Sequence, residues 1–385
     1  MLSAEGCLAR RQRLWDRLPD SCDVVLINSP EHLSYLAGYW PSGFTFRTNE
    51  AGAALILTRS HATLVGDNLL RPFLDSSLAI EVVAPVWYDG TRAALPRREH
   101  LARAVAAQLG TMRPRELGVE RALAPVMMVG ETSPSRLVDV SSHLLAMRRA
   151  KDPDEVNTLR RAIAIAGQAM NRASSLVREG ASELDVFSGI EHACHEFHGG
   201  PISIYGDFAR GDRAKGPDTL PRRDLLRAGD LLILDFSVVV QGYRGDFAST
   251  FCVGPPSPEQ RKVFDACMAA LSEGEAWLKP GTPCRELDRV LRARLRSAGY
   301  AADRPGHLGH GIGLSHPEAP FFVRESDEVL AVGDVVTLEP SLFPGHAVAG
   351  FDGGVRIEHK NRITADGCER LSHHRLGFGD TRQPG

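Results

Sequence analysis

Five side chains in the second half of the sequence have the donor chemistry of a divalent-metal centre. Four are acids: Asp235 in LLILDFS, Asp246 in GYRGDFASTF, Glu339 in VVTLEPSLF and Glu358 in GGVRIEHK. The fifth, His310, lies in LGHGIGLSHPEAP. Hard carboxylate oxygens with one imidazole nitrogen suit Mn, Co, Fe or Zn better than an ion that prefers thiolates. Converging in a partly dry pocket, the acids would carry about four negative charges, and like charges that close cannot all stay ionised unaided. One divalent ion would leave a net charge of about minus two. Two ions would roughly cancel the set and leave room for a bridging hydroxide, the two-metal logic of hydrolysis. Provided the five residues converge, a dinuclear centre is the better fit.

Local patterns indicate how these groups would be presented. An apolar run, DLLILD, ends at Asp235, and the strand-like FASTFCV follows Asp246. A reversal centred on Val240–Gln241 would set Asp235 directly opposite Asp246, an arrangement that repels unless a cation joins the two. A turn at Gln241-Gly242 would shift that register. In DVVTLEP, Thr337 and Glu339 share one face and Val336 and Leu338 the other. In GVRIE, Val355 and Ile357 alternate with Arg356 and Glu358. Both glutamates thus sit on the polar face of an otherwise buried strand, where burial needs compensation. Metal ligation supplies it, and pairing with Arg356 or Lys360 is the competing explanation. The glycines around His310 offer bare backbone for close approach to a ligand. A second histidine group, His192, His195 and His198 around Cys194, lacks the HExxH order of zinc proteases and reads as a solvated helix end.

The order of the five motifs, with Asp246 eleven residues after Asp235, then GHGIG, LEP and GVRIE, resembles the pita-bread metallopeptidases. That superfamily contains aminopeptidase P, prolidase, methionine aminopeptidase and creatinase. The resemblance covers roughly 150–370. NSPEHLSYLAGYW (28–40) is similar to the N-terminal domain of the creatinase and prolidase branch, and MRRAKDPDEVNTLRRAIAIA (147–166) to the helix that opens its catalytic domain. The resemblance implies an α+β fold: a pita-bread catalytic domain over 147–385, preceded by a smaller α/β creatinase-like domain over 1–146. It implies two divalent ions, Mn2+ first with Co2+, Zn2+ or Fe2+ as alternatives. Asp235 and Asp246 would bind one ion and His310 the other, with Asp246 and Glu358 bridging. Glu339 would be a ligand that also handles protons. His316, and with it His307 and His346, would contact the substrate or the developing oxyanion. The implied reaction is cleavage of a short peptide or related amide by a metal-bridging hydroxide, in the manner of Xaa-Pro aminopeptidase or prolidase, by a homodimer.

Several positions depart from that pattern. Pro317 stands where the family has a substrate-side histidine, and His316 lies one residue earlier, while Glu318 and Pro320 keep register. Asp218 falls near the place of a second family histidine, where an acid would favour a cationic substrate group. Ser249 replaces the usual arginine, and Thr250 persists. These changes keep open a non-peptide small-molecule hydrolase or lyase on the same metal platform. The fold's use in peptide recognition adds a catalytically silent binding module as a third reading.

Composition narrows the class of protein. A chain of 385 residues exceeds what one hydrophobic core serves, so two domains are expected. Its 43% hydrophobic and 24% charged content is that of a globular protein, and a net charge of −3 points to no nucleic-acid or anionic-membrane partner. The first residues lack the apolar core of a secretory signal, and no apolar run approaches the ~20 residues of a membrane span. Seven scattered cysteines without a CxxC pattern suit reduced thiols in a cytoplasm. Apolar runs at 23–29, 51–58, 61–66 and 79–85 predict strands, and the spacing in 96–109 predicts an amphipathic helix. A boundary is expected near 140–152, where Lys151-Asp152-Pro153-Asp154 has the chemistry of a helix start. Helical patterns follow at 154–177, 183–198, 258–277 and 284–298. Interleaved with strand pairs, they predict α+β rather than a doubly wound sheet. The Gly-rich tail from 371 is expected to be loosely held.

Overall fold

The short Val-, Leu- and Ile-rich runs of the first third form one mixed sheet. In the computed structural model, which describes residues 1–41, 51–123, 126–129, 134–216, 218–300, 307–344 and 351–378, the chain divides into two units, Met1–Arg148 and Arg149–Gly385. The first unit contains β1 (Cys22–Ile27), β2 (Ala54–Leu57), β3 (Ala62–Val65), β4 (Glu81–Val83), β5 (Glu116–Val119) and β6 (Arg136–Asp139). Their order is β4-β3-β2-β1-β5-β6, antiparallel at β1–β2 and β2–β3 and parallel elsewhere. Parallel pairs need crossover helices, which explains the α/β character of this unit. The helix Arg97–Met112 sets Leu101, Val105 and Leu109, one turn apart, into the core with Leu26, Ile56 and Leu117.

The 28–40 motif acquires a structural role here. Ser29 caps the helix Pro30–Ala37 by accepting the His32 N–H at 3.3 Å, and Gly38 ends it with a left-handed φ of 63°. Glu120, 1% exposed, accepts the backbone N–H groups of Asn28 and Ser29 at 2.8 and 3.0 Å and pairs with the His32 ring. Burial pushes the Glu120 carboxyl up, but His32 and the two N–H groups outweigh it and hold it below its ordinary value. A depressed carboxyl stabilises the fold above its unfolded pKa, and that stability is lost as pH falls through the folded value. Glu120→Gln should therefore cost about 2–3 kcal/mol at neutral pH. In urea denaturation the deficit should shrink as pH drops below about 4.3.

The second unit is built differently. β7 (Ser203–Arg210), β8 (Leu231–Val240) and β9 (Tyr243–Cys252) form an antiparallel sheet. β10 (Gly309–Gly311), β11 (Glu318–Phe321), β12 (Val335–Leu338), β15 (His359–Ile363) and β16 (Cys368–Arg370) form a second, in the order β11-β10-β12-β15-β16. A short pair, β13 (Ser341–Leu342) and β14 (Val355–Arg356), completes the strands among the described residues. The helix Pro153–Leu176 starts where the sequence predicts, in a capping box of Asp152 and Glu155 with Pro153 in its first turn. It packs on β8 and β9. The contact is so close at Gly245 that a Cβ there would lie 2.4 Å from the Ala162 carbonyl. The remaining long helices, Glu183–His198, Pro258–Trp277 and Cys284–Ser297, fall within a residue or two of the predicted patterns. No helix among the described residues is long and apolar enough to cross a membrane.

Two expectations are corrected. The β8–β9 hairpin turns on Gln241 and Gly242, both at positive φ (49° and 86°), and Val240 pairs with Tyr243. That two-residue turn matches the twist of the flanking strands and moves the register, so Asp235 faces Ala248 and Asp246 faces Ser237. The tail is also held: Leu371, Ser372, His374 and Phe378 are buried, Phe378 stacks on Phe264 at 4.5 Å, and the Gly377 N–H donates to Ser249 at 2.7 Å. Residues 379–385 lie outside the described part.

Candidate metal centre

Because side chains alternate along a strand, register fixes which groups share a face. Two rungs cross β7, β8 and β9: Tyr205, Ser237 and Asp246 on one, Asp207, Asp235 and Ala248 on the next. Asp235 and Asp246 are thus diagonal neighbours on a single face, with Ser237 donating to Asp246 at 3.2 Å. On the second sheet His310, Thr337 and Lys360 form one rung across β10, β12 and β15. Glu339 follows Thr337 by two residues and Glu358 precedes Lys360 by two, so both glutamates share that face. The glycines flanking His310 serve the sheet and not a ligand. A Cβ at Gly309 or Gly311 would lie 2.3 Å from the Thr337 carbonyl oxygen or 2.1 Å from that of Ala319.

All five predicted ligands are brought together. Three groupings have donor atoms within 4.8 Å of one another: Asp235 with Asp246 and Glu358; Asp246 with His310 and His316; and His307 with His310 and Glu339. His310 Nε2 lies 3.3 Å from Glu339 Oε1 and 3.9 Å from Asp246 Oδ2, while its Nδ1 sits 2.8 Å from the Gly311 carbonyl oxygen. That second contact leaves Nε2 facing the acids, the orientation a metal-binding imidazole needs. His316 Nε2 is 3.3 Å from Asp246 Oδ2, and the Tyr205 hydroxyl is 3.3 Å from its Nδ1.

The electrostatics are those of a site short of positive charge. Burial, then Glu358, Glu339 and Asp207, push the Asp235 carboxyl up to about 7, although Arg356 beside it acts the other way. Burial and the neighbouring Asp246 raise Glu358 as well. His310 is raised to about 9: burial lowers it, and Glu339 and Asp246 outweigh that. Burial and the nearby His310 lower His316 to about 4. Glu339 Oε1 is buried and makes no hydrogen bond, with His310 and His307 at 3.3 and 3.7 Å its nearest ionic contacts. A divalent cation fits such a donor set: it would lower the repulsion among the acids and give that oxygen a partner.

The competing ion pairs also form. Arg356 contacts Asp235 closely and reaches Asp207 at 3.6 Å, and Lys360 Nζ is 2.7 Å from Glu358 Oε1. Asp207, Tyr205 and Ser237 escaped the sequence reading. Their signal was the alternation in SIYGDFAR, which places Tyr205 and Asp207 on one face. Asp218 is exposed, and its contacts are with Arg222 and Arg213. Ser249 points to the other face of β9 from Asp246 and anchors Gly377, so it does not shape the site; Thr250 instead bridges to the Arg356 backbone at 2.9 and 2.8 Å. His346 lies outside the described residues. His192, His195 and His198 form no metal-binding group among the described residues, and His195 Nε2 meets the Ile202 carbonyl at 3.2 Å.

Comparison with known proteins adds a lineage. The family model described as metallopeptidase family M24 matches residues 157–365. An uncharacterized peptidase of Staphylococcus aureus is 29% identical over 237 residues, 61% of this chain and 66% of the relative. The chain therefore spans just under two thirds of the curated relatives it matches. Among solved structures, the Xaa-Pro dipeptidase from Bacillus anthracis superposes with a TM-score of 0.77 at 25% identity, covering 97% of this chain and 99% of that one. The prolidase from Pyrococcus horikoshii OT3 gives 0.76 at 24% identity over 97% and 98%. The X-Pro aminopeptidase from Thermotoga maritima MSB8 gives 0.77 at 20% identity over 92% and 97%. These last two likenesses are of fold alone.

Proposed function

The chain belongs to metallopeptidase family M24, and from that premise we propose that it is a divalent-metal-dependent hydrolase acting on short peptides of the Xaa-Pro type. Its fold is the pita-bread architecture with a smaller α/β unit before it. The observation that carries the proposal is the convergence of Asp235, Asp246, His310, Glu339 and Glu358 from two sheets onto one buried spot. The name of the structural neighbour at 25% identity, Xaa-Pro dipeptidase, suggests the substrate class.

Asp235, Asp246 and Glu358 would hold one ion, and His310 and Glu339 the other, with Asp246 and Glu358 shared between them. Bound there, divalent ions supply a Lewis acid for the scissile carbonyl and a lowered pKa for water. Glu339, whose Oε1 is buried and without a hydrogen bond, would take up a proton and pass it on. His316 is steadied by the Tyr205 hydroxyl on Nδ1 and keeps Nε2 on the site side, where it would face the developing negative charge. Arg356 favours the ionised form of Asp235 against burial and would hold it in place. We further propose Mn2+ as the preferred ion, a homodimer as the working form and the cytoplasm as its compartment.

The test is a panel of Xaa-Pro dipeptides, tripeptides with proline second, and matched peptides with proline elsewhere. Protein stripped with a chelator and reloaded with Mn2+ is expected to cleave the bond before proline, and the stripped protein to be inactive. No turnover of any peptide by metal-loaded protein would reject the peptidase reading and favour a small-molecule substrate.

A further inference from the structure

The helix Pro258–Trp277 and the tail enclose a cavity in the second unit. Phe264, Met268, Leu271 and Glu275 recur at three- and four-residue steps, so they share one face of that helix and form one wall. The other wall consists of His359 at the start of β15, Arg370 at the end of β16, and residues 372–376 of the tail. The space is about 280 Å³, at the small end of ligand sites. None of the five metal-centre acids and histidine lines it.

The two walls differ in chemistry. The helix side offers Phe264, Met268 and Leu271, and the tail side is basic. The one acid on the lining, Glu275, already has its partners: His359 Nδ1 at 2.9 Å and Arg370 Nε at 3.4 Å from Oε1. The exposed side chains of His373 and Arg375 have no ionic partner among the described residues. The Arg375 backbone is fixed, its N–H donating to Asn171 Oδ1 at 2.8 Å. Next to them on the lining, His374 is 6% exposed and neither ring nitrogen makes a hydrogen bond, a condition rare for buried polar groups. With every imidazole neutral, one carboxylate stands against two guanidiniums, and the lining keeps a single positive charge.

We propose that this cavity binds a small organic monocarboxylate, its carboxylate paired with Arg375 beside His373 and its hydrocarbon laid along Phe264, Met268 and Leu271. A guanidinium takes a carboxylate in two parallel hydrogen bonds, and a ligand of one negative charge matches what the lining has left. A bare inorganic anion would leave the apolar wall wet, and an uncharged hydrocarbon would cover the guanidinium without giving it a counter-charge. The site does not depend on the metal-centre reading, although its tail side touches the frame of that centre. His374 packs edge-on against Phe247 at 4.3 Å, one residue after Asp246, and Ser372 Oγ accepts the backbone N–H of Lys360 at 3.0 Å, two residues after Glu358.

Calorimetry on the full-length, chelator-stripped protein tests this with hexanoate, acetate and hexanamide. Hexanoate should bind one to one with a Kd of about a millimolar or below. Acetate, four methylenes shorter, should bind at least about tenfold more weakly, and so should hexanamide, which lacks the charge. Arg375→Glu, a change to an exposed side chain, should weaken hexanoate by at least about tenfold. Asp246→Asn, a change within the metal centre, should leave its affinity as in wild type. Binding lost in Asp246→Asn but kept in Arg375→Glu would move the ligand to the metal centre and overturn the proposal. Equal affinity for hexanoate and hexanamide, or no saturable binding at about 10 mM hexanoate, would also overturn it, and either result leaves the peptidase reading untouched. Should Arg375→Glu fail to fold, the comparison of hexanoate with hexanamide on wild type decides alone.

Discussion

Glu339→Gln is expected to lower kcat on a Xaa-Pro substrate by about a thousandfold. The substitution preserves volume and one oxygen and removes only the negative charge and the capacity to take a proton. Glu339 Oε1 makes no hydrogen bond and faces His310 at 3.3 Å and His307 at 3.7 Å. These neighbours hold the carboxyl far below its usual range against the opposing effect of burial. An amide in its place would leave a buried group with neither charge nor partner. Steady-state kinetics with Mn2+ saturating, together with metal content, separates the two roles. A drop in kcat with metal retained assigns proton handling, and a drop that excess metal repairs assigns ligation. If activity stays within about tenfold of wild type, Glu339 has neither role.

The second large effect concerns Asp246, which contributes to two of the three donor groupings. Asp246→Asn should weaken Mn2+ binding by at least about a hundredfold and remove most activity with it. It should also make the metal-free protein more stable, a consequence no structural residue would have. Burial, and after it Asp235, raise the Asp246 carboxyl, with Lys360 and His310 opposing. A carboxyl raised on folding costs stability as it ionises. The penalty begins above the unfolded value of about 3.9 and is complete above the folded one. Asparagine cannot ionise. Stripped Asp246→Asn should therefore melt about 2 °C or more above stripped wild type at neutral pH, with the gap closing in acid. Added Mn2+ should reverse the order by stabilising wild type far more. Equal melting of the two stripped proteins would show that the acids do not repel as their geometry implies.

The donor set was legible in the sequence because its signals are local. Thr337 and Glu339 on one face, Val336 and Leu338 on the other, follow from the period of a strand, and so does the alternation around Glu358. The start of the helix Pro153–Leu176 was legible for the same reason: Lys151-Asp152-Pro153-Asp154 states its capping chemistry within four residues. The register of β8 and β9 was not. It depended on whether the reversal fell at Val240–Gln241 or at Gln241–Gly242, and only the left-handed backbone of both turn residues decided it.

Tertiary structure alone settled what surrounds the donors. The sequence posed metal ligation and pairing with Arg356 or Lys360 as alternatives for the buried glutamates. The fold forms the ion pairs and still gathers the acids into groups that could hold a metal, because Arg356, Glu358 and Lys360 alternate onto the face that meets Asp235 and Asp246. Asp218, which the sequence marked as substrate-facing, turns to solvent, and Ser249, which it marked as replacing the family's arginine, turns to the tail, since facing depends on strand parity and loop path. Tyr205 and Asp207 enter the site only because β7 pairs with β8 in one particular register. The sequence by itself determined which atoms can bind a metal. How much charge those atoms have left to offer was decided by which sheet faces which.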